Sequence, residues 1–378
     1  MNHLSPDSSA QQGSNLEITK WRNNAAGALT LSFDDGYKKT WEYCSRYLAE
    51  YKLKSTWNIP TAFVGGTFEG REIISWSDAN KIAQVSGAEI ASHSMNHLSS
   101  SMSRAEYLLK VPTEFIYASS KLGYVRQMIN LPFKLLAREK SGEISLKKPS
   151  PDIEREVTDS KAEIDAHVAG QSALSYVFPY GKHDVHYKDC VRSGGYICAR
   201  STFKGYNIID KLDLFALQSM TWVKQTTLKE ADKWVCTAMA KGAWLIETYH
   251  LVAQDDPGYK WFTPVGVFRQ HIEHISSLAN NNSIWVDTQQ NVTKYILQRA
   301  SSKATILRRD SDCFVLGLHN SVGRFPEVEL TLKVGIASHW HQIEVSQGGR
   351  LIYVHKDKDF IVFNTLPNNG DISIKGIR

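Results

Sequence analysis

The stretch LTLSFDDGYKKT, residues 29–40, decides the reading of this chain. Leu29 to Phe33 have the make-up of a buried β-strand, uncharged and rich in apolar or β-branched residues. The run then ends in two adjacent carboxylates, Asp34 and Asp35, followed by Gly36. Neighbouring side chains alternate faces along a strand, so the two aspartates point in different directions. Like charges crowded together raise each other's pKa and cost stability unless something compensates. Two carboxylates at a strand end therefore mark a place where chemistry is done.

Further along, the same texture repeats as far as about Ala300. The runs STWNIP (55–60), AEIASH (88–93), SALSYVF (172–178), GYICAR (195–200), GAWLIETYH (242–250) and SIWVDT (283–288) read as strands, and 38–51, 77–86 and 264–279 read as helices. Regular alternation implies an α/β domain, a parallel sheet with helices outside it, open or closed as a barrel. Residues 101 to about 165 break the rhythm. They hold LGYVRQMINLPFKLLAREKSG (122–142), apolar at helical spacing, and read as a helical insertion. Between Arg104 and Arg155 there are ten Lys/Arg against six Asp/Glu, so the insertion is a basic lobe that starts beside His97. Such a lobe shields the sheet, or else walls a cleft for a glycan that carries or lies near negative charge. After Lys303, six short alternating runs separated by Gly, Asn and Pro turns read as an all-β sandwich. The expected organisation is a partly disordered extension (1–27), an α/β domain (28–301) and a β-sandwich module (302–378).

The 378 residues are 42% hydrophobic and 22% charged, with no apolar run of membrane-spanning length. A formal charge of +5 argues against a dedicated nucleic-acid binder. Five cysteines without close pairing read as free thiols rather than a disulfide framework. The start, MNHLSPDSSAQQGSN, has neither a basic segment nor an apolar one; no secretory signal is visible, and the compartment stays open.

Ligands of parallel α/β domains gather beyond the carboxyl ends of the strands. Asp34 and Asp35 sit at one such end, and His93 and His97, in ASHSMNH, follow another. An H-x-x-x-H pair alone is more readily two surface histidines than a metal site. With a carboxylate beside it, the set becomes a common one for catalytic zinc or a similar ion. One aspartate then binds and the other takes a proton.

With these residues the sequence resembles the polysaccharide deacetylases, carbohydrate esterases with a NodB-homology domain. SFDDG and HSMNH match the family's first two motifs, VFPYG (177–181) its third, and ETYHLV (247–252) its fifth. The resemblance covers roughly residues 28–300 and implies a distorted (β/α) barrel. It implies a divalent metal, usually Zn2+, on Asp35, His93 and His97, with Asp34 as general base and His250 as general acid. It also implies a substrate site formed by Pro179, Tyr180 and Trp222, the Tyr180 backbone N–H helping to hold the oxyanion. The substrate it implies is an acetylated glycan, most often an N-acetylhexosamine polymer, with O-acetyl esters as an alternative.

Three positions depart from the family pattern. Many members carry an arginine two residues before the proline of the third motif, bracing the catalytic aspartate, and here that position is Val177. Thr221 stands where an aspartate precedes Trp222, and Thr248 replaces the fifth motif's leucine. Asp34 and His250 are therefore expected to have other partners, with Lys182 and His183 as candidates. A dehalogenase-type phosphatase would need its aspartates two apart. A glycan-binding protein on a deacetylase-like scaffold that has lost turnover is the rival from another class. The remaining histidine pairs, His183/His186 and His271/His274, are read as surface residues. Trp340, in HWH (339–341), is read as a core residue rather than a sugar platform.

Overall fold

The computed structural model describes residues 16–99, 152–321 and 328–377. Seven strands follow one another in chain order: β1 (Gly27–Phe33), β2 (Ser55–Ile59), β3 (Glu89–Ser92), β4 (Ser175–Val177), β5 (Cys198–Lys204), β6 (Leu217–Thr221) and β7 (Trp244–Tyr249). Strand β7 pairs back onto β1, so the parallel sheet closes into a barrel. At the closure the Asp34 N–H donates to the Tyr249 carbonyl at 2.8 Å, which joins the first and last strand ends at the aspartates. All seven residues of β1 are buried. A strand covered on both sides reads as a continuous run rather than an alternating one. Phe33 stacks on Trp57 at 4.4 Å and on Tyr249 at 5.3 Å and meets Phe268 edge-on at 6.0 Å, so this aromatic cluster packs between the sheet and the helices outside it.

Helices α1 (Lys38–Glu50), α2 (Trp76–Ser86), α3 (Ile153–His167), α4 (Val185–Ser193), α5 (Leu228–Lys241) and α6 (Val265–Asn280) accompany the strands. Side-chain caps fix several of their starts. Ser75 and Asp78 form a reciprocal capping box on α2, and Asp152, Asp184 and Thr227 each accept a backbone N–H at the heads of α3, α4 and α5. Strand β6, LQSMT, is the one that the sequence reading omits. Polar residues on both faces (Ser219 and Thr221 on one, Gln218 on the other) give no apolar run, and it forms because β5 and β7 pair on either side. The last expected strand forms over Ile284–Val286 and is not one of the seven.

A second compact unit is made of the chain up to Ala28, Leu278–Trp285 and Asn291 onward. It holds two antiparallel sheets. The larger runs Ser302–Arg309, Cys313–Asn320, Ile372–Ile377, Gln342–Gln347, Arg350–Ile352. The smaller runs Leu16–Ile18, Leu330–Gly335, Phe360–Thr365, Val354–Lys356. Residues 16–18, read from sequence as extension, are thus an edge strand, with Leu16 opposite Val334. Trp340 is buried between Phe314 and Gly376, as a core residue. All five cysteines are free, Cys44 and Cys198 being buried. Among the described residues no helix is long and apolar enough to cross a membrane. The expected insertion is described from residue 152, where α3 follows. Residues 1–15 and 100–151, with Lys134, Arg138 and Lys140, lie outside the described residues.

Candidate active site

Asp35, His93 and His97 come together at the carboxyl end of the barrel, buried, with one ligand atom from each lying within 4.8 Å of the others. Asp35 Oδ1 is 3.6 Å from His93 Nε2 and 3.5 Å from His97 Nε2, and the two nitrogens are 3.2 Å apart. Unusual backbone makes this possible. Asp35, Ser94 and His97 adopt φ of 66°, 64° and 56°, conformations that cost non-glycine residues energy and persist where the surroundings enforce them. Gly36, also at φ 66°, lets the chain turn against Ile59, where a Cβ would approach its side chain to 2.9 Å. Gly181 is pressed as tightly against Thr202.

The three residues fit a divalent cation. His93 Nδ1–H donates to the Val177 carbonyl at 2.9 Å, which leaves Nε2 with its lone pair aimed at Asp35 and His97. Burial, then the neighbouring Asp34, pushes the Asp35 carboxyl well above the usual carboxylate range. A cation removes that penalty, and one carboxylate with two imidazoles suits zinc or a similar ion.

Asp34 is held in the opposite state. Burial alone would raise its pKa, but the Arg200 guanidinium, followed by His93 and His250, brings it below the ordinary value. Arg200 Nη2 lies 2.6 Å from both Asp34 oxygens, and the Asn58 amide donates to Oδ1 at 2.8 Å. Both Arg200 and Asp34 are buried. Arg200 was missed by the sequence reading, and its position is informative: on the paired strands β4 and β5, Val177 and Arg200 are register partners. The brace absent at Val177 is supplied one strand over. Lys182 is exposed and His183 stacks on Phe178, so neither fills that role.

His250 follows β7, with Nε2 3.8 Å from Asp34 Oδ2. Burial lowers its pKa to about 4, against the partial opposition of Asp34. Its Nδ1 is buried without a hydrogen-bond partner among the described residues. Thr221 and Thr248, the two substituted positions, are register partners on β6 and β7.

Tyr180 is exposed, with φ 58°, and its ring meets His97 edge-on at 4.7 Å; Pro179 is buried at the start of the same turn. Trp222 is 1% exposed, stacked on Tyr249 at 5.3 Å and donating its indole N–H to Glu247 at 3.2 Å. The structure therefore does not bring Trp222 to the exposed rings around the histidines. Trp261, which the sequence reading did not single out, is exposed beside His250 at 5.7 Å. His271 corrects an expectation. It is fully buried on the inner face of α6, 2.9 Å from Glu247, whereas His274 is exposed. Helical i,i+3 spacing carries no information about which histidine faces inward.

A family model described as polysaccharide deacetylase matches residues 22–199, which contain Asp34, Asp35, His93, His97, Pro179 and Tyr180. Residues 22–199 are thus similar to the polysaccharide deacetylase family. The deacetylase match stops one residue short of Arg200, and His250 lies beyond it. Over 392 aligned positions the chain is 21% identical to a gellan lyase from a Bacillus species, covering 96% of this chain and only 13% of that much longer protein. Among solved structures, a polysaccharide deacetylase from Bacillus cereus is 16% identical, with 54% of this chain and 50% of that one covered and a TM-score of 0.37. A family 4 acetyl xylan esterase from Clostridium thermocellum, in complex with a cobalt ion, is 13% identical, with 70% and 89% covered and a TM-score of 0.39.

Proposed function

We propose that the deacetylase-like domain hydrolyses acetyl groups from an acetylated carbohydrate, with a divalent ion, zinc or a similar metal, held by Asp35, His93 and His97. The observation that carries this reading is the state of Asp34: next in the chain to a metal ligand, 3.8 Å from His250, and braced as an anion by Arg200. When bound, the ion supplies Lewis acidity, activating water and polarising the acyl carbonyl. Asp34 takes the proton of the attacking water. His250 delivers a proton to the departing nitrogen or oxygen. Burial keeps His250 neutral near pH 7, so it must first receive that proton, and Asp34 Oδ2 is the adjacent source. Acid and base steps of this kind each contribute ~10²–10⁴-fold. The Tyr180 backbone N–H is the oxyanion donor, worth roughly 10²–10³-fold, in a turn whose start Pro179 stiffens. Trp222 acts from behind, packing Tyr249 into the wall.

Tyr180 and Trp261 offer exposed rings beside His97 and His250. A cavity of about 340 Å³ has Tyr37, Arg71, Leu251 and Asp255 among its lining residues, Leu251 being next in the chain to His250. Exposed rings beside both histidines support a sugar substrate, an N-acetylhexosamine polymer by family resemblance. One observation favours O-acetyl esters as a second reading. His250 has lost the family's aspartate partner to Thr221, and an alkoxide leaves with less help from an acid than an amide nitrogen does.

Acetate release from chitooligosaccharides, peptidoglycan and acetylated xylan is the test, made before and after chelation and again with metal restored. Release that chelation stops and metal restores is the expected result, and the preferred polymer separates N- from O-deacetylation. No release from any substrate by metal-loaded protein would favour a glycan-binding scaffold instead.

A further inference from the structure

The two histidines of the metal set sit on a turn that its own sequence stabilises only in part. Between them Ser94 is left-handed, as is His97 itself, and neither is glycine. Some of what holds the turn is local, the Ser94 N–H donating to Ser92 Oγ and the Leu98 N–H to Ser94 Oγ, and the Thr61 and Ala62 N–H groups donate from another strand end to the carbonyls of Ser94 and Met95. Much of the remainder comes from one distant residue. Glu156, on α3, is 4% exposed. Its Oε2 accepts the Asn96 backbone N–H at 2.7 Å, its Oε1 accepts the Asn96 side-chain amide at 2.7 Å, and its own carbonyl accepts the Met95 N–H at 3.2 Å. A further latch lies just beyond His97, where the Tyr187 hydroxyl donates to the Leu98 carbonyl at 3.1 Å.

We infer that Glu156 is a positioning residue for the metal site, fixing the His93–His97 turn through Asn96 so that both imidazoles meet Asp35. The inference rests on the metal reading above and deepens it. The chemistry is specific. Two N–H donors on Asn96, one from backbone and one from side chain, need two acceptors in a dry pocket, and a carboxylate supplies both. A buried donor left without an acceptor is costly, so removing Glu156 favours a rearranged turn over the left-handed one. Groups that orient metal ligands from behind typically change metal affinity 10- to 100-fold when removed. Glu156 lies 60 residues from Asn96 in sequence, so this contact brings a distant part of the chain beside His97.

Two variants separate positioning from space-filling. Glu156→Leu keeps similar volume and offers no acceptor. Glu156→Gln keeps both contacts if the Asn96 amide turns over, its oxygen accepting the backbone N–H and its amide donating to the Asn96 carbonyl oxygen. Zn(II) affinity is measured on metal-stripped protein by competition with a chromophoric chelator, and ligand geometry by the visible spectrum of the Co(II)-loaded protein. The expected result is a 10- to 100-fold weaker Zn(II) affinity and an altered Co(II) spectrum for Glu156→Leu, with Glu156→Gln close to wild type. A lower melting temperature for Glu156→Leu with unchanged affinity and spectrum would overturn the inference. Should that variant not fold, Asn96→Ala decides, since it removes one of the two contacts: weaker affinity supports the positioning role and unchanged affinity overturns it. Wild-type protein that binds no metal at all would instead overturn the metal reading.

Discussion

On the side of the site that gathers Asp35, His93 and His97, every donor comes from one of two short motifs, and their spacing is visible in the chain. On the side of Asp34 and His250 the partners of Asp34 arrive from separate strands, Arg200 from β5 and Asn58 from β2. The first side depends on local turns, so its sequence has little room to vary. The second depends on a charge being placed near Asp34, and barrel register allows that charge to come from either of two neighbouring strands. Burial treats the two aspartates differently as a result. Asp35 is pushed toward protonation and calls for a cation, while Asp34 already has one in Arg200.

The proton-handling side can be broken first at His250. His250→Ala should slow amide turnover by ~10²–10⁴-fold, and ester turnover by less. The same variant has a signature in stability. Burial lowers the His250 pKa to about 4, from ~6.5 for an unburied imidazole. The stability this gives is complete above about pH 6.5 and is lost as pH falls through about 4. Thermal melts of His250→Ala from pH 7 to pH 4 should therefore decline less steeply than those of wild type.

A sharper cut is Arg200→Val. It leaves Asp34 buried without its cation, a cost of about 3–5 kcal/mol by analogy with other broken buried pairs. With its largest opposing charge gone, the Asp34 pKa rises, and the acidic limb of the kcat/KM profile should move to higher pH. Adding Val177→Arg returns a guanidinium to the register partner on β4 and should recover part of the lost activity. A double variant no better than Arg200→Val would show that the strand of origin matters after all.

The smallest effect on turnover is expected at the Glu247–His271 pair, which lies behind Trp222 and Tyr249 and touches no reacting group. Burial would lower the His271 pKa, but Glu247 and then Asp232 raise it above the usual value. Its contribution to stability is full below about pH 6.5 and is lost as pH rises through the folded-state pKa. Glu247→Gln should lower the melting temperature more at pH 6 than at pH 9, with kcat close to wild type.

Which features could be read from the sequence follows the same division. The aspartate pair, the H-x-x-x-H pair, the FPYG turn and the strand-end His250 are local patterns. The α/β alternation and the sheets of the C-terminal region were legible from periodicity. Strand β6 was not, because LQSMT is stabilised by its neighbours and not by its own apolar content. Arg200 was present at the end of the run GYICAR, a charge at the close of a buried strand, the same signal that drew attention to Asp34. Its partner could be known only from register. Glu156 and the burial of His271 depend on helix packing across long sequence separations, which composition and spacing do not report. The edge strand Leu16–Ile18 has three residues, too few for a periodic signal.

The division of labour between the adjacent aspartates is tested most directly by counting metal ions per chain in purified Asp34→Asn and Asp35→Asn, alongside acetate release. The account predicts that Asp34→Asn keeps about one ion per chain and loses turnover, while Asp35→Asn loses the ion and turnover together. Full metal content in Asp35→Asn, or substantial turnover by Asp34→Asn, would contradict it.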